Sequence, residues 1–315
     1  MIILTGGAGF IGSNVLRKLN SLGIAGIIVV DDLTHGAKMQ QLARKKFADY
    51  FDFREFLQES RKLKNISHII HLGAISDTRF DNGKILTAQN FTFSKEMLDL
   101  AIEHKCPFTY ASSASVYGQR VDDFIEDPAY EDPQTPYAIS KWMFDQYARA
   151  TKSAAPIVGL RYFNVYGPGE ELKGAMASFP YKCLTALARG DKIKIFEDDP
   201  ERPAARDFVY IDDAVMATVF FSLWSDQNTR SGIYNVGTGT AATFKQIAEF
   251  AGATPDDIEI VPFPENMVGA YQNFTQANLN NLTKAGYKYG FHSTAAGVKS
   301  YKNYLESQPC LKSSF

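Results

Sequence analysis

Apolar and polar positions fall into short blocks along the first half of the chain. Ile2 to Leu4 is an apolar run that predicts a buried strand, and Phe10, Ile11, Val15, Leu16 and Leu19 then share one helical face. Ile27 to Val30 predicts a second strand and Ile66 to Leu72 a third. Phe91 to Glu103 reads as a helix with Met97, Leu98 and Ala101 inward and Gln89 or Asn90 at its entry. Pro107 to Ala111 and Val158 to Arg161 predict further strands. Strands alternating with helices predict an α/β, doubly wound parallel sheet covered on both faces. Beyond Asn164 the rhythm changes to Gly/Pro turns, longer loops and separate helices, with Ala277 to Ala285 and Ala295 to Leu305 closing the chain.

The turn after the first strand carries chemistry. Gly6, Gly9 and Gly12 are spaced Gly-x-x-Gly-x-x-Gly between a strand and a helix. Gly6 permits a tight turn, Gly9 lets backbone approach a pyrophosphate, and Gly12 lets helix pack on strand. The helix start, at Phe10 and Ile11, offers free N–H groups and a positive dipole end to an anion. The second strand ends on Asp31 and Asp32, and Asp31 lies 19 residues beyond Gly12. An acid near that distance hydrogen-bonds an adenosine ribose. Lys38 and Arg54 are candidates for a 2′-phosphate, which favours NADP; two adjacent carboxylates repel that phosphate, which favours NAD. The small residues Gly73 and Ala74 after Leu72 let a cofactor lie across the sheet's carboxyl edge. His68 and His71 alternate with apolar neighbours and read as strand residues.

On this reading residues 1–165 form a Rossmann-like dinucleotide-binding domain, to which 207–240 partly returns through Ile233 to Gly237. Residues 166–206 and 241–315 form a smaller α/β substrate-binding domain. The chain has 315 residues, 45% of them hydrophobic and 22% charged, which fits a soluble globular protein. A net charge of −2 excludes an electrostatic binder of nucleic acid or membrane surface. Cys106, Cys183 and Cys310 are scattered and odd in number, which argues against a disulfide framework or a metal site and suits a reducing cytoplasm. No signal peptide is expected before the first strand, and no apolar run approaches a membrane span.

Tyr137 and Lys141 are four residues apart, on one face of a helix that follows the serine-rich stretch Ser112-Ser113-Ala114-Ser115. A free phenol titrates near 10, too high for a base at neutrality. A nearby ammonium and a positive nicotinamide both favour phenolate. Lys141 is placed to supply that charge and to bind a cofactor ribose. Ser113 holds the reacting hydroxyl, and Tyr137 takes its proton as hydride leaves the same carbon.

Thr5-Gly6-Gly7-Ala8-Gly9-Phe10-Ile11-Gly12, the Ser113 strand end, Tyr137-x-x-x-Lys141 and Arg161-Tyr162-Phe163-Asn164-Val165-Tyr166-Gly167-Pro168 resemble the extended short-chain dehydrogenase/reductases, which act mostly on nucleotide sugars. Gly169 to Gly174, Met176-Ala177-Ser178, Arg206-Asp207-Phe208-Val209-Tyr210, and Pro262-Phe263-Pro264 with Tyr271 to Ala277 are similar to the branch that epimerises ADP-L-glycero-D-manno-heptose at C6″. The resemblance runs from Met1 to about Tyr304. It implies transient oxidation of C6″ with bound NADP, or NAD, in the supply of lipopolysaccharide inner-core heptose. It implies two proton carriers on opposite faces of that carbon, Tyr137 and Lys173. It places the cofactor on Gly6, Gly9 to Gly12, Asp31, Asp32 and Lys38, on Leu72, Gly73, Ala74 and Gln89, and on Lys141, Val165 and Lys173. It places the substrate on Asn164, Ala175, Lys182, Phe196, Glu197, Arg206 and Tyr271, with Arg206 suited to grip a pyrophosphate. It implies a homo-oligomer, a pentamer, and no metal.

The chain departs from that branch in places. Asp32 replaces an Asn, Phe53 stands at a lysine position beside Arg54, Ala175 and Lys182 replace Ser and His, and Asp198 to Ala205 is longer than usual. A UDP-sugar 4-epimerase shares the redox cycle but needs no Lys173. A nucleotide-sugar 4,6-dehydratase wants an acidic pair where this chain has Ala114-Ser115. An NADPH-sensing binding protein on the same fold needs no proton carrier.

Overall fold

The computed structural model describes residues 1–224, 231–264 and 271–308. Cys310, and the last residues of the substrate-binding assignment, lie outside the described residues; Cys106 and Cys183 are buried free thiols. In chain order the first half contains β1 (Ile2–Thr5), α1 (Phe10–Ser21), β2 (Ile27–Asp31), β3 (Asp49–Asp52), α2 (Phe53–Ser60) and β4 (His68–His71). Next come α3 (Gly83–Leu86), α4 (Phe93–Glu103), β5 (Phe108–Ser113), α5 (Pro136–Ala150) and β6 (Ile157–Tyr162). The second half adds β7 (Asn164–Tyr166), α6 (Phe179–Arg189), β8 (Ile193–Phe196), β9 (Ala205–Tyr210), α7 (Ile211–Val219) and β10 (Gly232–Val236). It closes with β11 (Ala241–Thr243), α8 (Phe244–Ala251), β12 (Ile258–Val261), α9 (Asn280–Lys284) and α10 (Thr294–Ser307).

Seven of these strands make one sheet in the order β10-β6-β5-β4-β1-β2-β3, every pair parallel. The chain leaves β1 toward β2 and β3 on one side and later builds β4, β5 and β6 on the other. The switch point lies between β1 and β4, where a crevice opens at the carboxyl ends of the strands. The strands read as unbroken apolar runs because both faces are covered. Ile2 and Leu4 meet α1 and α7 through Val15, Leu16, Ile211 and Val215, while Ile3 faces Phe56, Met97 and Leu98 on the opposite side. Burial of each such side chain is worth roughly 1.5–3 kcal/mol.

The remaining strands stand apart from this sheet. β9 pairs with β7 in parallel and with β11 antiparallel, and β8 pairs with β12. β10, by contrast, lies beside β6 in the main sheet. Among the described residues no helix is long and apolar enough to cross a membrane.

Several boundaries differ from the sequence expectation. β5 runs on to Ser113, because Ser112 pairs with Arg161 and Ser113 with Tyr162 in register with β6. The helix expected from Phe91 begins instead as a π-helical turn, Thr87–Thr92, before becoming α at Phe93. The buried Asn90 occupies that turn and donates to the Ile75 carbonyl and the Ser140 hydroxyl. The closing helix expected over Ala277 to Ala285 is only Asn280–Lys284. β3 was not expected at all: Asp-Tyr-Phe-Asp is a half-exposed edge strand with an acid at each end.

His71, at the end of β4, is buried between the Thr5 hydroxyl at 2.7 Å and the Ser94 hydroxyl at 2.8 Å. Burial, aided by the charge of Lys141, pushes its imidazole down from 6.5 to about 3. The unfolded chain therefore binds this proton more readily between those values, so stability falls as pH drops from 6.5 toward 3. His71 alone should remove roughly 2–3 kcal/mol by two pH units below its unfolded value. Thermal melts from neutral to pH 4.5 check this: His71→Gln should melt lower at neutrality but show a visibly flatter pH dependence.

Candidate active site

The turn between β1 and α1 is closed by backbone lying against backbone. Gly6 sits at φ +70°, and a Cβ there would lie 2.6 Å from the Gly73 nitrogen and 2.7 Å from the Leu72 carbonyl carbon. A Cβ on Gly12 would lie 2.0 Å from the Gly6 carbonyl oxygen, and one on Gly9 3.1 Å from the same atom. Gly9 is the N-cap of α1, no side chain caps the helix, and its first turn carries no acid. Its N–H groups and positive dipole end are thus left for an anion. A cleft of about 310 Å³ opens here, lined by Gly6, Gly9, Phe10, Ile11 and Gly12, by Asp31 and Lys38, and by Leu72, Gly73, Ala74 and Lys173. A bare-backbone cradle that a single Cβ would fill fits a dinucleotide pyrophosphate. An adjoining pocket of about 200 Å³ adds Asp32, Phe53 and Gln89. Val165 lies along neither; it packs half-buried against the hydrophobic core.

At the far end of this cleft the acids are ordered rather than solvated. Asp31 is buried; one carboxylate oxygen accepts the Ala8 N–H at 2.7 Å, and the other accepts the Asp32 N–H at 2.7 Å and the Lys38 ammonium. Asp32 accepts the Thr34 N–H at 2.8 Å and pairs with Arg54 at 2.9 Å. The Thr34 hydroxyl and Arg54 hold Asp32 well below the usual carboxylate range, against the pull of burial. Arg54 also pairs with Asp52 at 3.1 Å and stacks 4.5 Å over the Phe53 ring. Both cations named as candidates for a 2′-phosphate are therefore engaged by carboxylates.

Tyr137 and Lys141 face β5 from α5, whose N-terminus is fixed by Thr135 accepting the Ala138 N–H and by Pro136 in the first turn. Tyr137 is buried, and burial raises its phenol above the ordinary value, eased by a hydrogen bond with Ser113. This differs from the expectation that Lys141 would draw the phenol down. The Lys141 ammonium instead donates to the Ala111 carbonyl at 3.0 Å, and burial pushes it down to about 8. The Ser113 hydroxyl also accepts from the N–H and hydroxyl of Ser115, at 3.2 and 2.9 Å. Lys173 sits 5.3 Å from the Phe10 ring, and burial lowers its ammonium while Glu170 raises it.

A separate cavity of about 740 Å³ gathers Asn164, Ala175, Lys182, Phe196, Arg206 and Tyr271. Thr78 and Arg79 also line it, on the segment that follows Ala74 and Ser76 of the cofactor cleft. Arg206 is only 6% exposed and stacks 4.9 Å over Tyr271 and 5.8 Å over Phe244. Among the described residues no carboxylate lies within ion-pair distance of it, and burial lowers its guanidinium. It is therefore not a surface salt bridge. Lys182 donates to the Ala175 carbonyl at 3.0 Å. Glu197 lies outside this cavity, in a neighbouring one of about 1090 Å³ that shares Tyr271 and Asp198. Asp198 accepts the Ala204 N–H and so closes the long loop before Arg206.

Three buried acids shape the site and were not singled out from the sequence. Glu170 accepts the Gly167 N–H at 2.9 Å, the Ser178 N–H at 2.6 Å and the Ser178 hydroxyl at 2.8 Å, which folds the loop carrying Lys173. Asp207 accepts from Thr238, Gly239 and Ala277, tying β9 to the end of β10. Asp145 lies four residues beyond Lys141 on the same helical face, a spacing visible in the sequence.

Gly12→Ala should abolish NAD binding, with Kd weakened about a hundredfold or more, because the obstructing atom is backbone. Isothermal titration of the folded variant with NAD checks it; binding as tight as wild type would contradict the cradle geometry.

The family described as the NAD dependent epimerase/dehydratase family matches residues 2–237. Among solved structures, the Helicobacter pylori ADP-L-glycero-D-manno-heptose-6-epimerase is 28% identical, with a TM-score of 0.82 over 98% of this chain and 96% of that one. The Thermotoga maritima UDP-glucose 4-epimerase is 27% identical, with a TM-score of 0.79 over 97% of this chain and 98% of that one. The Methanobrevibacter ruminantium UDP-N-acetylglucosamine 4-epimerase, 23% identical with a TM-score of 0.83 over 98% of each chain, shares the fold. With the glycine cradle, the Tyr137 helix and a match over most of its length, the chain belongs to the NAD dependent epimerase/dehydratase family.

Proposed function

We propose that the protein is a nucleotide-sugar epimerase that interconverts ADP-D-glycero-D-manno-heptose and its L-glycero epimer at C6″. The observation that carries this reading is a pair of proton-carrying groups on separate segments, buried Tyr137 on α5 and half-buried Lys173 on the loop after β7. Tyr137 is hydrogen-bonded to Ser113, and Lys173, from an unrelated loop, lines the cleft that also reaches Ala111. The 28% identity to the H. pylori enzyme over 98% of the chain supports the heptose.

The chain's own residues divide the work. Ser113 holds the reacting hydroxyl, and Tyr137 takes or returns its proton. Lys141, mostly protonated at neutrality, anchors on Ala111 one helical turn from Tyr137 and is placed to hold a cofactor ribose. Lys173, whose ammonium burial lowers against the pull of Glu170, serves the opposite face. Arg206, backed by Tyr271, receives the pyrophosphate, which replaces the ion pair it lacks. The glycine turn of Gly6, Gly9 and Gly12 would hold the dinucleotide, whose nicotinamide would supply hydride acceptance and return at the sugar carbon. A second reading, a UDP-sugar 4-epimerase, is favoured by the 27% identity to the T. maritima enzyme and by Ala175 and Lys182 in the cavity wall.

Purified protein incubated with NAD and ADP-D-glycero-D-manno-heptose should yield the second epimer, resolved by chromatography. Turnover of UDP-glucose with none of the heptose would replace the first reading by the second. Tyr137→Phe and Lys173→Ala should each lower turnover about a hundredfold or more while NAD still binds. Normal turnover by Lys173→Ala would remove the second proton carrier.

The adenosine end supports NAD rather than the NADP implied by resemblance. Lys38 is engaged by Asp31 and Arg54 by Asp32 and Asp52, so a 2′-phosphate would meet carboxylates whose cations are already engaged. NAD should bind about tenfold or more tightly than NADP. Equal dissociation constants by calorimetry would reverse the assignment.

A further inference from the structure

Tyr137, Lys141 and Asp145 follow one another at four-residue steps along α5, so all three face the sheet. Asp145 is fully buried and takes no part in the proposed chemistry, yet four donors converge on it. The Tyr110 hydroxyl and the Ser112 hydroxyl, both on β5, donate at 2.9 Å each. Arg161, from β6, donates through Nε at 3.1 Å and through its terminal nitrogen at 2.8 Å. Arg161 is itself fully buried, stacks 4.9 Å over Tyr117 and reaches Glu131, whose buried carboxylate also binds Arg149 and Gln146 on α5. Ser112 stands beside Ser113 and one residue beyond Ala111, the two β5 groups that meet Tyr137 and Lys141.

We propose that Asp145 is the positioning residue of the active site, a buried carboxylate that locks the reactive face of α5 in register with the end of β5. This rests on the epimerase reading. A helix can rotate or slide against a sheet with little loss of apolar burial, because that attraction has no direction. Four hydrogen bonds to one carboxylate do have direction, and they hold the step of the helix that sets Tyr137 against Ser113. The same carboxylate acts on Lys141 by charge. Burial drives the ammonium down, and Asp145 raises it. The other charged or titratable groups facing Lys141 are Tyr137 on its own helix and His71 on β4, which burial keeps neutral; Arg161 from β6 and Glu131 stand behind Asp145.

The test uses the full chain with NAD and follows two signals: the titration of Lys141 by NMR of ¹³C-lysine protein, and the pH profile of turnover. Lys141→Arg identifies the resonance. In Asp145→Asn, Lys141 should titrate about one pH unit lower. The alkaline limb of turnover should move with it, and kcat should fall roughly tenfold or more with KM little changed. Asp145→Glu keeps the charge, so it should leave the titration in place while lowering kcat. Glu131→Gln breaks the same network further out, and should lower the melting temperature without moving Lys141. The proposal is overturned if folded Asp145→Asn leaves both signals unchanged, or if Glu131→Gln moves Lys141 as far. Should Asp145→Asn not fold, full kcat in Asp145→Glu overturns it instead. Absence of turnover in the wild type would sink the epimerase reading alone, since the lysine titration reports on Asp145 without any substrate.

Discussion

Where β1 and β4 end, two turns touch through bare backbone, and the architecture of the site depends on that contact. Gly6 rests on Leu72 and Gly73, and Gly12 rests on Gly6. No side chain can be inserted at these points without moving a strand or a helix. The closeness sets where α1 begins, and hence where its unpaired N–H groups aim. Asp31 then ties the next strand into the same turn through the Ala8 N–H. A cofactor cleft follows from these contacts at the one place where the sheet changes direction.

The other half of the site is held by burying charge, which is ordinarily unfavourable. Taking an ion out of water costs several kcal/mol, and a buried pair is stabilising only when its geometry and hydrogen bonds are nearly complete. Asp145, Glu170 and Asp207 meet that condition, each accepting three or more hydrogen bonds from separate segments. Their worth lies in direction: hydrophobic faces bring helices and strands together, and these carboxylates choose the one alignment among many that buries similar area. Lys141 is the exception, a buried ammonium satisfied by one carbonyl and by a carboxylate one helical turn away.

What the sequence revealed follows the range of the interactions involved. The glycine turn, the Asp31 strand end and the Tyr137–Lys141 helix depend on local spacing, and each lies where that spacing puts it. The parallel sheet followed from strands alternating with helices, apart from its edge strand β3. Interactions between distant segments were hidden. Lys38 and Arg54 were legible as cations near the adenosine, but not as cations already held by Asp31, Asp32 and Asp52. Tyr137 was expected to feel an ammonium and instead feels its burial first. Val165, read as a cofactor residue, packs half-buried against the hydrophobic core from β7. The edge strand β3 has too few apolar positions to announce itself.

The wall of the cavity around Arg206 is drawn mainly from β7, β8, β9, α6 and the segment around Tyr271, with Thr78 and Arg79 added from the segment that follows β4. Two short segments join it to the cofactor cleft: Thr78 and Arg79 continue from Ala74 and Ser76, and Ala175 lies two residues beyond Lys173. Lys182 closes back on the same loop through the Ala175 carbonyl. That loop, folded by Glu170, is a party wall between two hollows, so an exchange made on one side of it is felt on the other.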